Sequence, residues 1–389
     1  MSSFRYNSRI ERYRRLLGVA LGRPLVGPQH VSLETTHHCN LRCSFCESHG
    51  ILQSAPITSR RDYAGDRVTT DLETVRRLAL ELAEVGTDLV ELSGKGDPIA
   101  HPELTEIVKA LRDAGLNTSL VTNATLAKPD LARTLVERRL DRLNVSLNAG
   151  SREVYLRSNH KDLWDKAVAF LREVLDERKK RGSDRPWVRV SHVVTKENVD
   201  DVDGMVRICT DLGVDGVDFY VMGELPETTA LQLDDDDIAR IRKGVPRWTQ
   251  ELDRSGVEHT LPVYLKDLEL RARFGEPQRN SLQEKVPCYI GWNFVVIGPD
   301  GVVVPCCYCE ETHLGNVNDT SFVDIWYGRL YKQFRKNCLD IPKTGCRICD
   351  ECFTSCNRAI ENTNIYNKLH PFDRVPLDAG EPAATSAKE

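Results

Sequence analysis

The chain predicts an α/β fold with a parallel sheet, followed by a small cysteine-rich module. Two observations carry this. Six β-branched runs alternate with amphipathic segments between about residues 29 and 225, and nine of the thirteen cysteines fall between 288 and 356. The strand candidates are VSLETT (31–36), DLVELSG (88–94), NTSLVTN (117–123), RLNVSLN (142–148), WVRVSHVV (187–194) and GVDFYVMG (216–223). Helical patterns separate them near 70–86, 102–115, 128–139, 162–181 and 198–212. Strands joined through helices pair in parallel by right-handed crossovers. An incomplete TIM-type barrel and a doubly wound sheet both satisfy that order, and both place ligands at the carboxyl ends of the strands.

The flanking segments follow the same reading. Residues 1–28 are Arg-rich and helix-forming, without the long apolar core and cleavage site of an export signal. They predict a helical extension packed on the domain, and a cytoplasmic protein. Residues 226–285 form a less regular helical connector. Its run Asp234 to Asp237 fits the first turn of a helix, where the dipole favours acids, better than a metal site. Residues 286–365 hold the cysteine-rich module, and 366–389 have the composition of a disordered tail. No apolar run approaches the roughly 18 residues of a membrane span. A formal charge of -5 gives no support to a nucleic-acid partner.

The cysteines narrow the chemistry. Only Cys209 is isolated, in a helix-like stretch where a buried thiol is expected. Without an export signal, clustered cysteines point to metal or redox chemistry rather than to disulfides. The segment HHCNLRCSFCESHG spaces Cys39, Cys43 and Cys46 as C-x3-C-x2-C. Three thiolates cannot close a four-coordinate zinc site unless His37 or His38 supplies the fourth ligand. They can hold three irons of a [4Fe-4S] cube and leave the fourth open to a chelating substrate or cofactor.

This loop resembles the signature of the radical S-adenosylmethionine (SAM) superfamily, with Phe45 at the aromatic position before the last cysteine. The resemblance implies a partial (β/α)6 TIM-type barrel over residues 29–225. It also implies that a cluster on Cys39, Cys43 and Cys46 binds SAM and cleaves it reductively to a 5'-deoxyadenosyl radical, which abstracts hydrogen from a substrate carbon. Ser93, Gly94, Lys95, Gly96 and Asp97, before Pro98, stand where the superfamily carries a Gly-Gly-Glu-Pro motif that meets the amino group of SAM; Lys95 and Asp97 depart from its common form. Asn123 resembles the Asn of a Thr-Asn-Gly segment, with Ala124 in place of Gly. Ser146 and Asn148 fall where ribose contacts are expected, and Val194 where an apolar residue packs on adenine. Arg157 resembles an Arg after the fourth strand in related enzymes. An ordinary strand-end residue is the alternative for each.

In the second module, CYIGWNFVVIGPDGVVVPCCYC predicts a hairpin with a Pro-Asp-Gly turn. Cys288 and Cys306 bracket it as C-x12-G-x4-C, and LGNV (314–317) and DIW (324–326) follow before Cys346, Cys349, Cys352 and Cys356. Together they resemble the SPASM/twitch extension of radical SAM enzymes, a small α+β domain that binds auxiliary [4Fe-4S] clusters. The leading ligand set is Cys288, Cys306 and a pair from Cys346, Cys349 and Cys352, with Cys356 in reserve. The usual C-x2-C-x5-C-x3-C run is here C-x2-C-x2-C-x3-C, with no later cysteine. A second cluster would draw on Cys307, Cys309 or Cys338. Structural zinc is the alternative for the module.

An auxiliary cluster able to accept an electron implies a net oxidation, such as dehydrogenation of a sugar, aminocyclitol or nucleoside, as in the sulfatase-maturating and aminocyclitol dehydrogenases of this extended family. Peptide maturation and redox-neutral epimerisation are alternatives, the latter with Cys307, Cys309 or Cys338 as hydrogen donor. Only 38 residues precede Cys39, too few for the leader-peptide domain of peptide-modifying relatives, which favours a small polar substrate. Glu34, Glu91 and Glu224 could meet its amines or hydroxyls. The expected partners are that substrate, or a peptide delivered by a separate protein, and an external electron donor such as flavodoxin or ferredoxin.

Overall fold

The computed structural model describes residues 9–50, 69–223, 226–274, 285–307, 309–344 and 359–375. Glu224, Cys346, Cys349, Cys352, Cys356 and the end of the tail lie outside the described residues. All six anticipated strands form: β1 (His30–Leu33), β2 (Leu89–Leu92), β3 (Asn117–Thr122), β4 (Arg142–Ser146), β5 (Trp187–Val194) and β6 (Gly216–Val221). The chain divides into two compact units, one of residues 33–76 and 90–273, the other of 1–32, 77–89 and 274–389.

In the first unit the strands lie in the order β2, β3, β4, β5, β6, and β7 (Glu258–His259) adds one more beyond those anticipated. From β3 to β7 every pairing is parallel. Helices cross between them: α2 (Leu72–Glu84), α3 (Leu104–Asp113), α4 (Leu131–Glu137), α5 (Arg152–Asn159), α6 (Trp164–Arg181), α7 (Val202–Leu212) and α8 (Asp235–Arg254), then α9 (Leu261–Phe274). The acidic run begins α8. Asp234 caps the backbone of Asp237 in a reciprocal capping box, and Lys196 and Arg240 pair with the same acids.

Period-two alternation divides this sheet into two faces. Leu120, Leu143, Val145, Val188, Val190, Val194, Val217 and Phe219 are buried on the helix-covered face. Burying such side chains contributes about 1.5–3 kcal/mol each. Partners across the register place Ser119, Asn144, Ser146, Arg189, Ser191, Asp218 and Tyr220 on the opposite, polar face. Cys209 is fully buried against Met205, an inert core thiol.

The second unit is built on α1 (Arg9–Ala20), an antiparallel hairpin and a helical cap. β8 (Phe294–Ile297) and β9 (Val302–Val304) make the anticipated hairpin, and β10 (Gly315–Asn316) adds to β9. Gly301 closes the turn at φ +81°, where a Cβ would stand 2.4 Å from the side chain of Asn316. Around it lie α10 (Ile290–Asn293), α11 (Phe322–Tyr327), α12 (Arg329–Thr344) and α13 (Ala359–Leu369). Val19, Tyr289, Trp292 and Ile365 form a core cluster that fastens α1 to the C-terminal helices. Arg15 and Asp88 form a buried ion pair at 3.1 Å in the same unit.

Candidate active site

The cysteine loop follows β1 and is held from several sides. Glu34 pairs with His37 at 3.2 Å. Gly96 packs so closely on the backbone of 36–38 that a Cβ there would lie 2.4 Å from the carbonyl oxygen of Thr36. The Asp97 N–H donates to the carbonyl of His38 at 2.7 Å. Asn40 donates to the Thr125 hydroxyl at 2.9 Å, the Ser44 N–H donates to the Ser158 carbonyl, and the Ser44 hydroxyl meets His160 at 2.7 Å. Thus the ends of β1, β2 and β3, together with α5, grip a loop that has no regular structure of its own.

The three thiols differ in surroundings. Asn123 turns its amide nitrogen toward Cys39 Sγ at 3.7 Å, and the His49 N–H donates to Cys46 Sγ at 3.3 Å. Both contacts suit a thiolate. Cys43 lies 2.9 Å from the amide oxygen of Asn159. Burial, followed by smaller effects that include the fields of Asp97 and Cys46, pushes the Cys39 thiol up to about 11. Burial and then the fields of Cys46 and Cys39 push Cys43 well above the usual range. Thiols so placed stay protonated unless a metal takes the proton's place, which is the condition a cluster supplies. Among the described residues no three His, Cys, Asp or Glu side chains enclose a single ion. A cube makes no such demand, because each thiolate binds a different iron.

The neighbouring candidates fall into two groups. Asp97 is buried and accepts from the Thr122 hydroxyl (2.7 Å), the Asn123 N–H (2.6 Å) and the Ile99 N–H (3.0 Å). Its burial raises its pKa despite those donors. Its carboxylate therefore clamps the turn of residues 93–97 to the end of β3. Phe45, Ser93 and Lys95 are half-buried and Gly94 is exposed. Ser93 also donates to Glu91. Asn123, in turn, faces the cysteine loop.

The strand-end candidates are placed differently. Ser146 lies on the polar face. Asn148 holds a left-handed backbone, and its side-chain oxygen accepts from the Val193 N–H at 2.9 Å, which bridges β4 to β5. Val194 is 1% exposed and lies on the opposite face of β5 from Val193. Arg157 donates to the carbonyl of Glu197 and lines a pocket of about 450 Å³ with Ser44, Lys196, Glu197, Asp200 and Leu231. That volume suits a small ligand.

Sequence reasoning missed Tyr155 and Asn159, one turn apart on α5. The Tyr155 hydroxyl is buried without a hydrogen-bond partner, and burial, then the fields of Cys43, Asp97 and Cys39, raise its pKa strongly. Nothing in the sequence near Cys43 announces residues more than a hundred positions away.

In the second unit, the Cys288 N–H donates to the Cys338 carbonyl at 3.2 Å, and the Cys309 N–H donates to that of Cys306 at 3.1 Å. Cys309 and Cys338 are buried, Cys288 and Cys306 half-buried and Cys307 exposed, and none of these five is in a disulfide.

Known proteins match this arrangement. The model of the radical SAM superfamily matches residues 33–209, and that of SPASM, an iron-sulfur cluster-binding domain, matches 288–353. The chain thus carries a radical SAM domain over residues 33–209 and a SPASM domain over 288–353. The two domains imply SAM, its [4Fe-4S] cluster and auxiliary clusters as cofactors. A probable GTP 3',8-cyclase of Saccharolobus islandicus is 26% identical over 319 residues, 82% of this chain and 92% of its own. An AdoMet-dependent heme synthase of Methanosarcina barkeri is 25% identical over 363 residues, 89% of this chain and 96% of its own. Streptococcus suis SuiB bound to S-adenosylmethionine shares the fold, with a TM-score of 0.59 and 16% identity over 85% of this chain and 72% of that one. No helix among the described residues is long and apolar enough to cross a membrane.

Proposed function

We propose that this radical SAM enzyme oxidises a small polar molecule, such as a sugar, aminocyclitol or nucleoside. The observation that carries the reading is the polar face of the sheet in the unit that holds the cysteine loop. There Arg189 lies 4.4 Å from the Trp187 ring and pairs with Asp218 at 2.5 Å, and the Tyr220 hydroxyl donates to the same carboxylate at 3.2 Å. Asp218 Oδ1 and Arg189 Nε are buried without a hydrogen-bond partner. Ser191 donates to Asn144 at 2.7 Å beside them, and Ser119 donates to Glu91 at 3.3 Å further along. Such a wall rewards a ligand rich in hydroxyls or amines and penalises an apolar one, because unpaired buried polar groups cost about 1–3 kcal/mol each.

In this reading Cys39, Cys43 and Cys46 hold the SAM-binding cluster, which supplies a radical able to take hydrogen from an unactivated carbon. Asn123 and the His49 N–H stabilise the thiolates, Asp97 fixes the turn over the loop, and the pocket beside Ser44 takes the adenosine half of SAM. Arg189 and Asp218 orient the substrate. The relative named as a probable GTP 3',8-cyclase supports a compact polar substrate. SuiB, whose fold this chain shares, has also been solved bound to its precursor peptide SuiA, which supports a peptide substrate as the second reading. A donor such as flavodoxin or ferredoxin supplies the first electron.

Changing Cys39, Cys43 and Cys46 together to Ala should remove about four irons per chain and abolish formation of 5'-deoxyadenosine from SAM by the reduced protein. Iron and sulfide assays after anaerobic reconstitution, with product chromatography, check this. Retention of either property in the variant would sink the assignment.

A further inference from the structure

Among the described residues, the C-terminal unit buries a cation that no carboxylate pairs with. Arg335, on α12, is 1% exposed. Its guanidinium lies 4.3 Å from the Trp326 ring, 4.4 Å from that of Tyr331 and 5.9 Å from that of Trp292. Nε donates to the Gly291 carbonyl at 2.7 Å and Nη1 to that of Trp326 at 2.8 Å, whereas Nη2 has no acceptor. The acidic groups whose fields reach it are two phenols, Tyr331 and Tyr327, and one thiol, Cys338; no carboxylate is among them. Aromatic faces return only about 2 kcal/mol to a desolvated cation. Leaving one uncompensated costs several kcal/mol. The charge balance of this core therefore calls for an anion close to Arg335.

Cys338 is the side chain placed to be that anion. It follows Arg335 by three residues on the same helix, so the two share a face. It is 1% exposed, and its carbonyl receives the N–H of Cys288, the residue at which the SPASM match begins. A free thiol is neutral, but a thiolate bound to iron carries negative charge. We propose that Cys338 joins Cys288 as a ligand of an auxiliary iron–sulfur cluster, and that Arg335 is the buried cation that offsets the negative charge of that cluster. The proposal rests on the reading that this module holds auxiliary iron. A fixed cation in a low-dielectric core favours the more negative, reduced state of the cluster, so Arg335 acts to raise its reduction potential.

The test uses the full chain with Cys39, Cys43 and Cys46 changed to Ala, so that only auxiliary iron is counted after anaerobic reconstitution. If this parent holds no iron, the auxiliary-cluster reading fails and the proposal falls with it. Added Cys338→Ser should lower the iron, by up to about four per chain, or change the g-values of the reduced cluster. Unaltered iron and spectra overturn the ligand assignment. Arg335→Gln should keep the iron and move the midpoint potential negative in an EPR-monitored titration, and Arg335→Lys should recover part of that shift. Arg335→Met, which keeps packing against the rings without the charge, replaces the Gln variant if that one does not fold. A midpoint unchanged in the uncharged variant overturns the role of Arg335.

Discussion

At residue 124 the chain carries Ala with φ +64°, in the position where the Thr-Asn-Gly segment of related enzymes has Gly. The left-handed region costs an L-residue roughly 1–2 kcal/mol, and Gly gives back part of that gain through its larger backbone entropy. Ala124→Gly should therefore be neutral or stabilise the protein by up to about 1 kcal/mol, with Asn123 still facing Cys39. Urea unfolding of the two proteins measures this, and a clear loss of stability would show that the Ala124 methyl, which is 1% exposed, contributes more by packing than it costs in strain. The departure from Gly was legible in the sequence; the backbone that makes it matter was not. The same holds for Cys43. Its spacing announced a metal ligand, but its contact with Asn159 spans 116 positions and depends on how α5 docks. Local spacing encodes which atoms can ligate, and only the fold decides what surrounds them.

At the scale of elements, the β-branched run 187–194 was enough to find β5, whereas its two faces emerge only from the register with β4 and β6, where the Ser191 hydroxyl lies on the polar one. Two elements left no usable signal: β7 has only two residues, and α5 has eight with little apolar periodicity. The helix-covered face of β5 holds an unusual group in His192, fully buried, with neither ring nitrogen hydrogen-bonded and with Phe219 edge-on at 5.6 Å. Burial pushes its pKa down to about 3, from 6.5 in the unfolded chain. The folded protein therefore holds this ring neutral while the unfolded chain takes up a proton. The stability this contributes is fully present above pH 6.5 and is lost as pH falls toward 3, at up to about 1.4 kcal/mol per pH unit. His192→Leu should flatten the pH dependence of urea stability between pH 7.5 and 5.5. Equal slopes in the two proteins would show that His192 is not held neutral by burial.

For the whole molecule, SAM cleavage and substrate recognition are assigned to different strands of one sheet, and this division of roles can be measured. The cysteine loop, Asn123 and Asp97 gather at the ends of β1 to β3, whereas Arg189, Asp218 and Tyr220 lie on β5 and β6. If the polar wall binds substrate and takes no part in holding SAM, Arg189→Leu and Asp218→Asn should leave the slow cleavage of SAM by the dithionite-reduced protein within about twofold of wild type. Each should abolish any increase in 5'-deoxyadenosine formation produced by an aminocyclitol, a sugar nucleotide or a nucleoside triphosphate. Losing one member of a buried charge pair costs about 3–5 kcal/mol, so the two changes are also made together, which removes both charges at once. The double variant should then fold and cleave SAM while remaining unresponsive to all three compounds. Slow cleavage lost in a folded double variant would place Arg189 and Asp218 in the SAM site. A compound that still accelerates cleavage in it would mean that the substrate is recognised elsewhere, and a peptide would become the better candidate. Of the polar side chains of this wall the sequence singled out only Glu91 and Ser146; Arg189, Asp218 and Tyr220 did not stand out, because their meaning lies in a register across the strands that brings them onto one face.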